Sequence, residues 1–566
     1  MTTLDARALW ARRASMRHHR VLWAAAAVVL GPLLISLLLM GIRGYWPGGD
    51  YAYIGVRAME VWSSHPPLTG MRSTGAMDAG GVQVHHPGPL LFYVLAIPLA
   101  LCGFHPWGIL LGAWLLCAYA VWVALSCAWR LWRLPGVIVV TATFVALEAV
   151  IGPQFLLQPW NPTTALFPLV TLVVLLAALW AGRTRWLPHL VFVWSYVVQA
   201  HLAFLPLAAA SVLAVVTVGL VRWWRGGRSA RPTRRTWVAL GIAVACWAPV
   251  AAEAVLYSPN NLTQMYRYLT VPRPRTIGVG RATEAIALMS APSPGVLRGF
   301  VGITGNAPMP TVPALGWWLL ALMVGAAALA VRRWFTGDRD VLDRLLLTSA
   351  AGLVIALMTI SRIEVTRPLI YALVFLPLVA LTVCCAIATV GRALVHAAGA
   401  RPSEPPRWVL GMALAVAVLL SVSLPWWNPL APIDPRTEQS MRQAATVVTA
   451  AAQRDGLADR GIRIEAPGPL GVLVLSASIG YALSQNDIRW SKEMYWSLPT
   501  DDQVHENAHA RKDAAVLTIR EQISGQWFGT PPASGRLLQD QTWPGGLLGR
   551  PARVQLWLSV PPTGQP

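Results

Sequence analysis

The sequence has few charged residues. Only 12% of its 566 residues are Asp, Glu, Lys or Arg, whereas 55% are hydrophobic. Soluble proteins carry about twice that charged fraction. The composition therefore excludes an ordinary soluble protein and predicts a polytopic α-helical membrane protein.

Lysine is almost absent, although the net charge is +20. Lys492 and Lys512 are the only lysines among 45 basic residues, and most of the arginines lie in short clusters between hydrophobic segments. Such clusters are typical of the cytoplasmic loops of membrane proteins. They form no continuous basic face with interleaved aromatic residues, which excludes nucleic acid as a partner.

The sequence also lacks the signatures of disulfide, zinc and nucleotide sites. Its six cysteines lie inside apolar stretches, without a CxxC pair or a histidine at metal-ligand spacing. No GxxxxGK[ST] motif occurs, and no GxGxxG motif stands between a strand and a helix. No cofactor is indicated, and participation of a divalent metal is left open.

Long apolar runs dominate the first three quarters of the chain. Taking runs of about 17–25 residues as membrane spans predicts about eleven of them. They cover 21–42, 108–128, 136–152, 163–181, 186–203, 204–222, 236–256, 314–331, 344–361, 368–390 and 407–425.

Arginine clusters set the expected direction of these spans. They fall after every second span, so the positive-inside rule places them, and the N-terminus, in the cytoplasm and the C-terminal segment outside the cytoplasmic (inner) membrane. The apolar run 88–103 would invert every later loop if it crossed the membrane. Because it is short and interrupted by proline, we interpret it as an interfacial or re-entrant helix on the outer face.

The sequence divides into two expected domains. Residues 1–425 form a transmembrane domain, with long outer loops at 43–107 and 257–313, and residues 426–566 form a small extracytoplasmic α/β domain. In the second domain we expect one helix near 437–454 and strands at 471–475, 514–519 and 553–560.

Asp50 is the candidate catalytic residue. It follows a Pro-Gly-Gly turn at the expected N-cap of an amphipathic helix, directly after the first span. Capping is the commonest role of such a residue. A carboxylate close to the membrane can also have a raised pKa and act as a general base.

Other polar residues gather at the outer ends of the predicted spans. Ionisable groups at membrane depth are costly and are usually kept for a function. The candidate substrate-binding residues are Tyr51, Arg57, Glu60, His85, His86, Asn161, Gln199, His201, Arg362, Glu364 and Arg367. The outer face also holds His65, Asp78, Trp160 and Glu253.

Structural roles compete with ligand contacts for these residues. His85 and His86 are also suited to cap the interfacial helix, and Gln199 with His201 to form a satisfied buried pair. An interface anchor is the favoured role for Trp160. Glu364 can neutralise one of its neighbouring arginines, which leaves the other for an anion, and arginine grips phosphate bidentately.

An outer-face carboxylate, arginines and adjoining apolar surface suit one reaction in particular. A lipid-linked sugar phosphate enters from the bilayer, arginine holds the phosphate that leaves, and Asp50 takes the proton of an incoming hydroxyl. The expected partners are this donor, membrane lipids and an envelope glycan, lipid or protein as acceptor. The alternatives are a flippase or transporter of lipid-linked glycans and a non-catalytic envelope assembly protein.

The first outer loop resembles that of the GT-C glycosyltransferases, in particular the protein O-mannosyltransferase and aminoarabinose transferase branch. The pattern comprises Asp50, the helix with Arg57 and Glu60, His65-Pro66-Pro67 and His85-His86-Pro87-Gly88-Pro89-Leu90-Leu91-Phe92-Tyr93. The resemblance implies a polyprenyl-phosphate-sugar donor, inverting transfer, an extracytoplasmic acceptor and Asp50 as the catalytic base. Tyr51 stands where that branch commonly has a second acidic residue.

Overall fold

The protein is described by a computed structural model. It describes residues 3–73, 84–226, 233–270, 275–291, 309–367, 369–397, 419, 422–427, 434–492, 513–544 and 551–562. Asp78 and most of the predicted span 407–425 lie outside these residues.

Helices form most of the described chain. They are α1 (Thr3–Ile42), α2 (Gly49–Glu60), α3 (Leu90–Leu101), α4 (Trp107–Ile151), α5 (Pro153–Leu157), α6 (Asn161–Thr164), α7 (Leu166–Trp180), α8 (Leu187–Ala200), α9 (Leu205–Gly226), α10 (Arg234–Leu256), α11 (Asn261–Thr270), α12 (Gly278–Ser290), α13 (Ala314–Thr336), α14 (Asp343–Ile360), α15 (Leu376–Ala397), α16 (Pro435–Arg454) and α17 (Ser476–Gln485). Within the described ranges, eight helical segments are long and apolar enough to cross a membrane. The chain is thus a multi-pass membrane protein.

Two predicted spans, 108–128 and 136–152, are the two arms of α4. The helix is interrupted at Arg133, whose φ of 56° and ψ of −144° are not helical, just before Pro135. Proline lacks an N–H and its ring clashes with the preceding turn, so a bend is expected there. The other predicted spans within the described residues coincide with helices, although α8 has only 14 residues and is short for a full crossing.

Both ends of α4 lie beside the end of α1. At one end, Trp107 Nε1 donates to Leu37 O at 3.4 Å. At the other, Trp427 Nε1 donates to Ala149 O at 2.8 Å, while the neighbouring Trp426 ring lies under the Arg43 guanidinium. The two arms of α4 therefore return to one side of the bundle, and the interruption at Arg133 lies at the opposite side.

The run 88–103 forms α3, which has only 12 residues. A helix of that length is about 18 Å long and cannot cross a bilayer core of about 30 Å. The interpretation as a non-spanning helix is thereby confirmed. Tyr93 of this helix donates to Pro67 O at 3.1 Å, which ties it to the loop after α2.

The C-terminal part contains one mixed sheet. Its strand order is β2-β1-β3-β6-β5, with β4 paired to β3; β1 runs parallel to β2 and β3, and the remaining pairs are antiparallel. The strands are β1 (Ile462–Glu465), β2 (Trp490–Lys492), β3 (Ala515–Ile523), β4 (Gln526–Phe528), β5 (Arg536–Trp543) and β6 (Ala552–Ser559). The predicted helix near 437–454 and the strands at 514–519 and 553–560 match α16, β3 and β6.

The predicted strand 471–475 is wrong. The segment Gly471–Leu475 is a helical turn that continues into α17. The buried Glu521 carboxylate accepts from Leu470 N and from Gly471 N, both at 2.9 Å, and so satisfies the first N–H groups of this turn. A short apolar run has no periodicity that separates a strand from a buried helix.

The C-terminal domain packs against the transmembrane part beside α2. Trp46 Nε1 donates to Ser478 Oγ at 2.8 Å, and Tyr481 Oη donates to Phe104 O at 2.8 Å. Gly55 of α2 permits this approach, since a Cβ there would lie 2.5 Å from Cε2 of the Tyr481 ring. The same side of the molecule therefore carries α2, α3 and the C-terminal domain.

Candidate functional site

Asp50 lies in the first turn of α2, not at its N-cap as predicted. The helix begins at Gly49, and the N-cap is Gly48, which has no side chain to accept a hydrogen bond from the first N–H groups. The φ of Gly49 is +53°, a conformation that glycine adopts at little cost. Asp50 still faces the positive end of the helix dipole, which favours its ionised form.

Trp160 fixes the Asp50 carboxylate. Its Nε1–H donates to Asp50 Oδ2 at 2.9 Å, and its ring packs edge-on against Phe155. Asp50 is exposed to solvent, although many protein atoms lie around its carboxyl group. These surroundings remove part of its hydrating water and raise the pKa of Asp50, while the bond from Trp160 opposes the rise. The sequence indicated only an interface anchor at Trp160, so this hydrogen bond is a structural finding.

Lys492 brings a positive charge to Asp50 from the C-terminal domain. Its Nζ donates to Val472 O at 2.6 Å, and its charge favours the ionised form of Asp50. Burial lowers the pKa of Lys492 to about 8, and the Asp50 carboxylate opposes this fall. The sequence marked Lys492 only as a rare lysine, because nothing in the sequence indicates that β2 reaches the first loop.

We expect Lys492→Met to change how activity depends on pH. Without the lysine charge the pKa of Asp50 rises further, so less of it is ionised at acidic pH. The acid limb of the rate–pH profile then moves to higher pH, and the ratio of mutant to wild-type rate falls as the pH is lowered. Lys492→Arg keeps the charge and serves as the control; an identical shift in both variants would contradict the electrostatic role.

Glu438 is a second acid on this side, contributed by α16. Burial raises its pKa to about 7, while the Arg43 guanidinium opposes the rise and Asp434 adds to it. Its charge also raises the pKa of Tyr51, for which burial is the first cause and Asp50 the second. The region around Asp50 therefore combines groups from the first loop with groups from the C-terminal domain.

We expect Glu438→Gln to stabilise the protein above neutral pH. A carboxyl group whose pKa rises from 4.5 to about 7 on folding stabilises the folded state at low pH. That contribution is lost as the pH rises through about 7. The melting temperatures of the variant and the wild type should therefore differ little below about pH 4.5, diverge as the pH rises to about 7, and differ by a constant amount above it. A constant difference across the titration would rule this account out.

The histidines form a separate cluster. The rings of His86 and His201 lie 4.6 Å apart, and each Nδ1 accepts a backbone N–H, from Leu202 at 3.3 Å and from Ala203 at 3.2 Å. Burial lowers the pKa of His86 well below its usual value and that of His201 to about 4. Both rings are therefore neutral at pH 7, available as hydrogen-bonding groups rather than as cations.

Asn261, which the sequence did not single out, holds the His85-His86 segment in place. Its Oδ1 accepts from His85 N at 2.9 Å, and its Nδ2 donates to His86 O at 3.3 Å. Its own N–H donates to Glu253 Oε1 at 2.7 Å. The second outer loop is thereby attached to the first, and Glu253 supports that contact.

The side-chain amides of Gln199 and Asn161 form hydrogen bonds with backbone groups. Gln199 donates to Cys246 O at 2.8 Å and accepts from Leu90 N, the first residue of α3, at 3.2 Å. Asn161 donates to Ala200 O at 3.0 Å. Gln199 thus fits the structural alternative, and Asn161 connects the Asp50–Trp160 pair to the segment that contains His201.

The charged candidates differ in their surroundings. Arg57 is buried and ion-paired with Glu60, and its guanidinium lies 5.9 Å from the Phe92 ring centre. Arg367 Nε lies 3.7 Å from Glu364 Oε2, as expected for one neutralised arginine. Arg362 is exposed.

The Arg362–Arg367 segment contacts the second outer loop, where Val365 N donates to Arg275 O at 3.2 Å. Tyr371, which follows this segment in the chain, lies at the histidine cluster, its ring 6.1 Å from that of His201. Contacts therefore lead from Asp50 through Trp160 and Asn161 to the histidine cluster and on to Tyr371. Ligand contact by the candidate residues stays a prediction.

A second carboxylate does not accompany Asp50 in sequence. Tyr51 follows it directly, and Lys492 supplies the neighbouring charge. Among the residues that have described positions, no group of three or more His, Cys, Asp or Glu side chains could hold a metal ion. The arrangement places one carboxylate beside one ammonium group, at the edge of a membrane bundle.

Fold and site together define a multi-pass membrane protein whose extramembrane α/β domain packs beside the Asp50 carboxylate. Among solved structures, the chain is similar to ArnT from Cupriavidus metallidurans bound to undecaprenyl phosphate, with 14% identity, a TM-score of 0.52, and coverage of 96% of this chain and 98% of ArnT. This similarity confirms the predicted fold, which is that of ArnT.

A second similar structure is the oligosaccharyltransferase AglB from Archaeoglobus fulgidus in complex with an inhibitory peptide and a dolichol-phosphate. It shares 12% identity, with a TM-score of 0.41 over 89% of this chain and 69% of AglB. No family model and no curated protein sequence matches the chain.

Proposed function

We propose that the protein transfers a sugar from a polyprenyl-phosphate-linked donor to an envelope acceptor outside the cytoplasmic membrane. The observation that carries this proposal is the Asp50 carboxylate, which is accessible to solvent, oriented by a hydrogen bond from Trp160 and influenced by the charge of Lys492. The fold shared with ArnT, whose structure holds undecaprenyl phosphate, supports a lipid phosphate as the carrier.

Asp50 acts as the general base in this proposal. Its carboxylate takes the proton of an acceptor hydroxyl as that oxygen attacks the anomeric carbon of the sugar. The bond between the anomeric carbon and the phosphate oxygen breaks, and polyprenyl phosphate leaves with the electron pair. A single displacement of this kind inverts the anomeric configuration.

Arginine is the proposed partner of the leaving phosphate. Arg362 and Arg367 lie on the segment that precedes Tyr371, whose ring contacts His201, and guanidinium groups hold phosphate oxygens in pairs. The neutral rings of His86 and His201 offer hydrogen bonds without adding charge. In this proposal the two arginines and the two histidines bind the phosphate and the sugar of the donor.

The acceptor approaches from the side covered by the C-terminal domain. That domain contacts Trp46 and Phe104 around α2 and contributes Lys492. The positive-inside rule assigns this side to the exterior, since the arginine clusters lie at the other ends of the spans. In this proposal the C-terminal domain therefore borders the place where transfer occurs.

The direct test is sugar transfer by the purified full-length protein. Synthetic polyprenyl-phosphate sugars and fragments of envelope glycan or lipid serve as substrates, and both the new glycoside and released polyprenyl phosphate are measured. The proposal expects them in equal amounts. Movement of a labelled lipid-linked glycan across proteoliposomes without any new glycosidic bond would instead show a flippase.

A further inference from the structure

A basic cavity of about 460 Å³ lies among the helices far from Asp50. Arg130, Arg185 and Arg235 line it, together with His19 and His189. In the part of the chain that has described coordinates, no carboxylate forms an ion pair with any of these three arginines. We call this space the arginine cavity.

The arginine cavity lies at the opposite end of the membrane bundle from Asp50. Arg130 stands just before the interruption of α4, whereas both ends of α4 lie on the Asp50 side. At a rise of 1.5 Å per residue, the first arm carries the chain about 35 Å from Trp107 to Arg130. That distance corresponds to one membrane thickness, so the cavity lies at the other membrane surface.

More arginines lie directly beside the arginine cavity. A second cavity of about 460 Å³ shares Arg130, Arg185 and Trp186 with the first and adds Arg133 and Arg183. Burial, and then the neighbouring guanidinium groups, lower the pKa of Arg185. Arg185 is half-buried, whereas Arg130 and Arg235 are exposed. Like charges held close together repel one another, and an anion placed between them removes that repulsion.

An apolar groove begins at the same place. It has a volume of about 420 Å³ and shares His189 with the arginine cavity. Tyr119 in the groove hydrogen-bonds His189 at 2.9 Å, and the groove extends between α4, α8 and α10 to the short helix α3. The apolar lining residues are Val94, Pro98, Leu115, Leu116, Phe192 and Ile242.

We propose that this combined site binds an anionic glycerophospholipid of the membrane leaflet opposite Asp50. The phosphate group occupies the arginine cavity between Arg130, Arg185 and Arg235, and an acyl chain lies in the apolar groove. A soluble phosphate would leave the groove empty, and a neutral lipid would leave the arginine charges unmatched. The site is separate from the proposed sugar transfer and does not depend on it.

The test compares two double variants of the full-length protein. Arg130→Gln with Arg185→Gln removes the two guanidinium groups shared by both basic cavities. Arg332→Gln with Arg339→Gln removes the same charge from exposed positions on α13 and the loop after it. Each protein is placed in nanodiscs of mixed phosphatidylglycerol and phosphatidylcholine, and the lipids retained after extraction are quantified by native mass spectrometry.

We expect the first pair to reduce retained phosphatidylglycerol about 10-fold or more, because each guanidinium that hydrogen-bonds the phosphate directly contributes roughly a factor of five in binding. The second pair should change it by less than about twofold. Equal losses in both pairs would overturn the proposal, since they indicate general attraction to a basic surface. Unfolding would mimic the expected loss, so each variant must keep its wild-type melting temperature and elution volume.

The groove and the choice of lipid are tested separately. Leu115→Trp places a large ring in the groove from an exposed position and should reduce retained phosphatidylglycerol without affecting binding of inorganic phosphate. Preference for polyprenyl phosphate over phosphatidylglycerol, or binding of inorganic phosphate as tight as that of the lipid, would each overturn the assigned occupant.

Discussion

Asp50→Asn should strongly reduce the rate of sugar transfer while the protein stays folded. An amide cannot take the proton of the acceptor hydroxyl, and loss of a general base lowers the rate on the order of a hundredfold or more. The side chain keeps its size, and its amide oxygen can still accept from Trp160 Nε1. Initial rates with a synthetic polyprenyl-phosphate sugar, compared between variant and wild type, measure the effect.

Stability distinguishes this result from unfolding. Because its surroundings raise the pKa of Asp50, its ionised form opposes folding at neutral pH. The variant should therefore melt at the wild-type temperature or above it, as is common when a functional group is removed. Asp459→Asn, the same change at an exposed position of the C-terminal domain, is the matched control and should leave transfer unchanged.

Donor binding provides a further check on the role of Asp50. A residue that acts only in proton transfer leaves the affinity for a non-hydrolysable donor analogue nearly unchanged, whereas kcat falls. Transfer by Asp50→Asn at the wild-type rate would remove Asp50 from the mechanism. Lost donor affinity at an unchanged kcat would make it a binding group instead.

Gly49→Ala is expected to be the most disruptive single-methyl substitution at the site. A Cβ at Gly49 would lie 2.6 Å from Leu473 O, a backbone atom that cannot rotate away. The residue also has a φ of +53°, which L side chains rarely adopt. Strain and overlap together should cost about 2–4 kcal/mol and shift the adjoining Asp50. We expect a lower melting temperature and at least a tenfold loss of transfer.

Gly456→Ala distinguishes the backbone strain at a positive φ from the steric overlap with a neighbouring atom. Gly456 has a φ of +63°, but a Cβ there meets nothing within 4 Å. This variant carries the backbone strain without the overlap, so its stability loss should be about 1–2 kcal/mol and transfer should stay normal. Equal destabilisation by the two substitutions would show that the contact between Gly49 and the C-terminal domain contributes nothing.

The local structure differs from the sequence prediction at two places where distant segments of the chain meet. The apolar run at 471–475 was expected to be a strand, but Glu521 binds its preceding N–H groups and a helix begins there. Asp50 was expected to be the N-cap, but the helix begins at Gly49, where Leu473 O approaches so closely that only glycine fits. In both cases a tertiary contact selected between local structures that the sequence permitted equally.

The sequence by itself determined the membrane class, because span length is set by the bilayer. From arginine placement it also predicts the side to which the polar residues belong, and it singles out Asp50 as a candidate, since a carboxylate at the end of a span is rare and costly. Only the tertiary structure decided the surroundings of Asp50. Trp160 and Lys492 reach it through the bundle ends and the docked C-terminal domain, and no local pattern encodes contacts between segments so far apart in the chain.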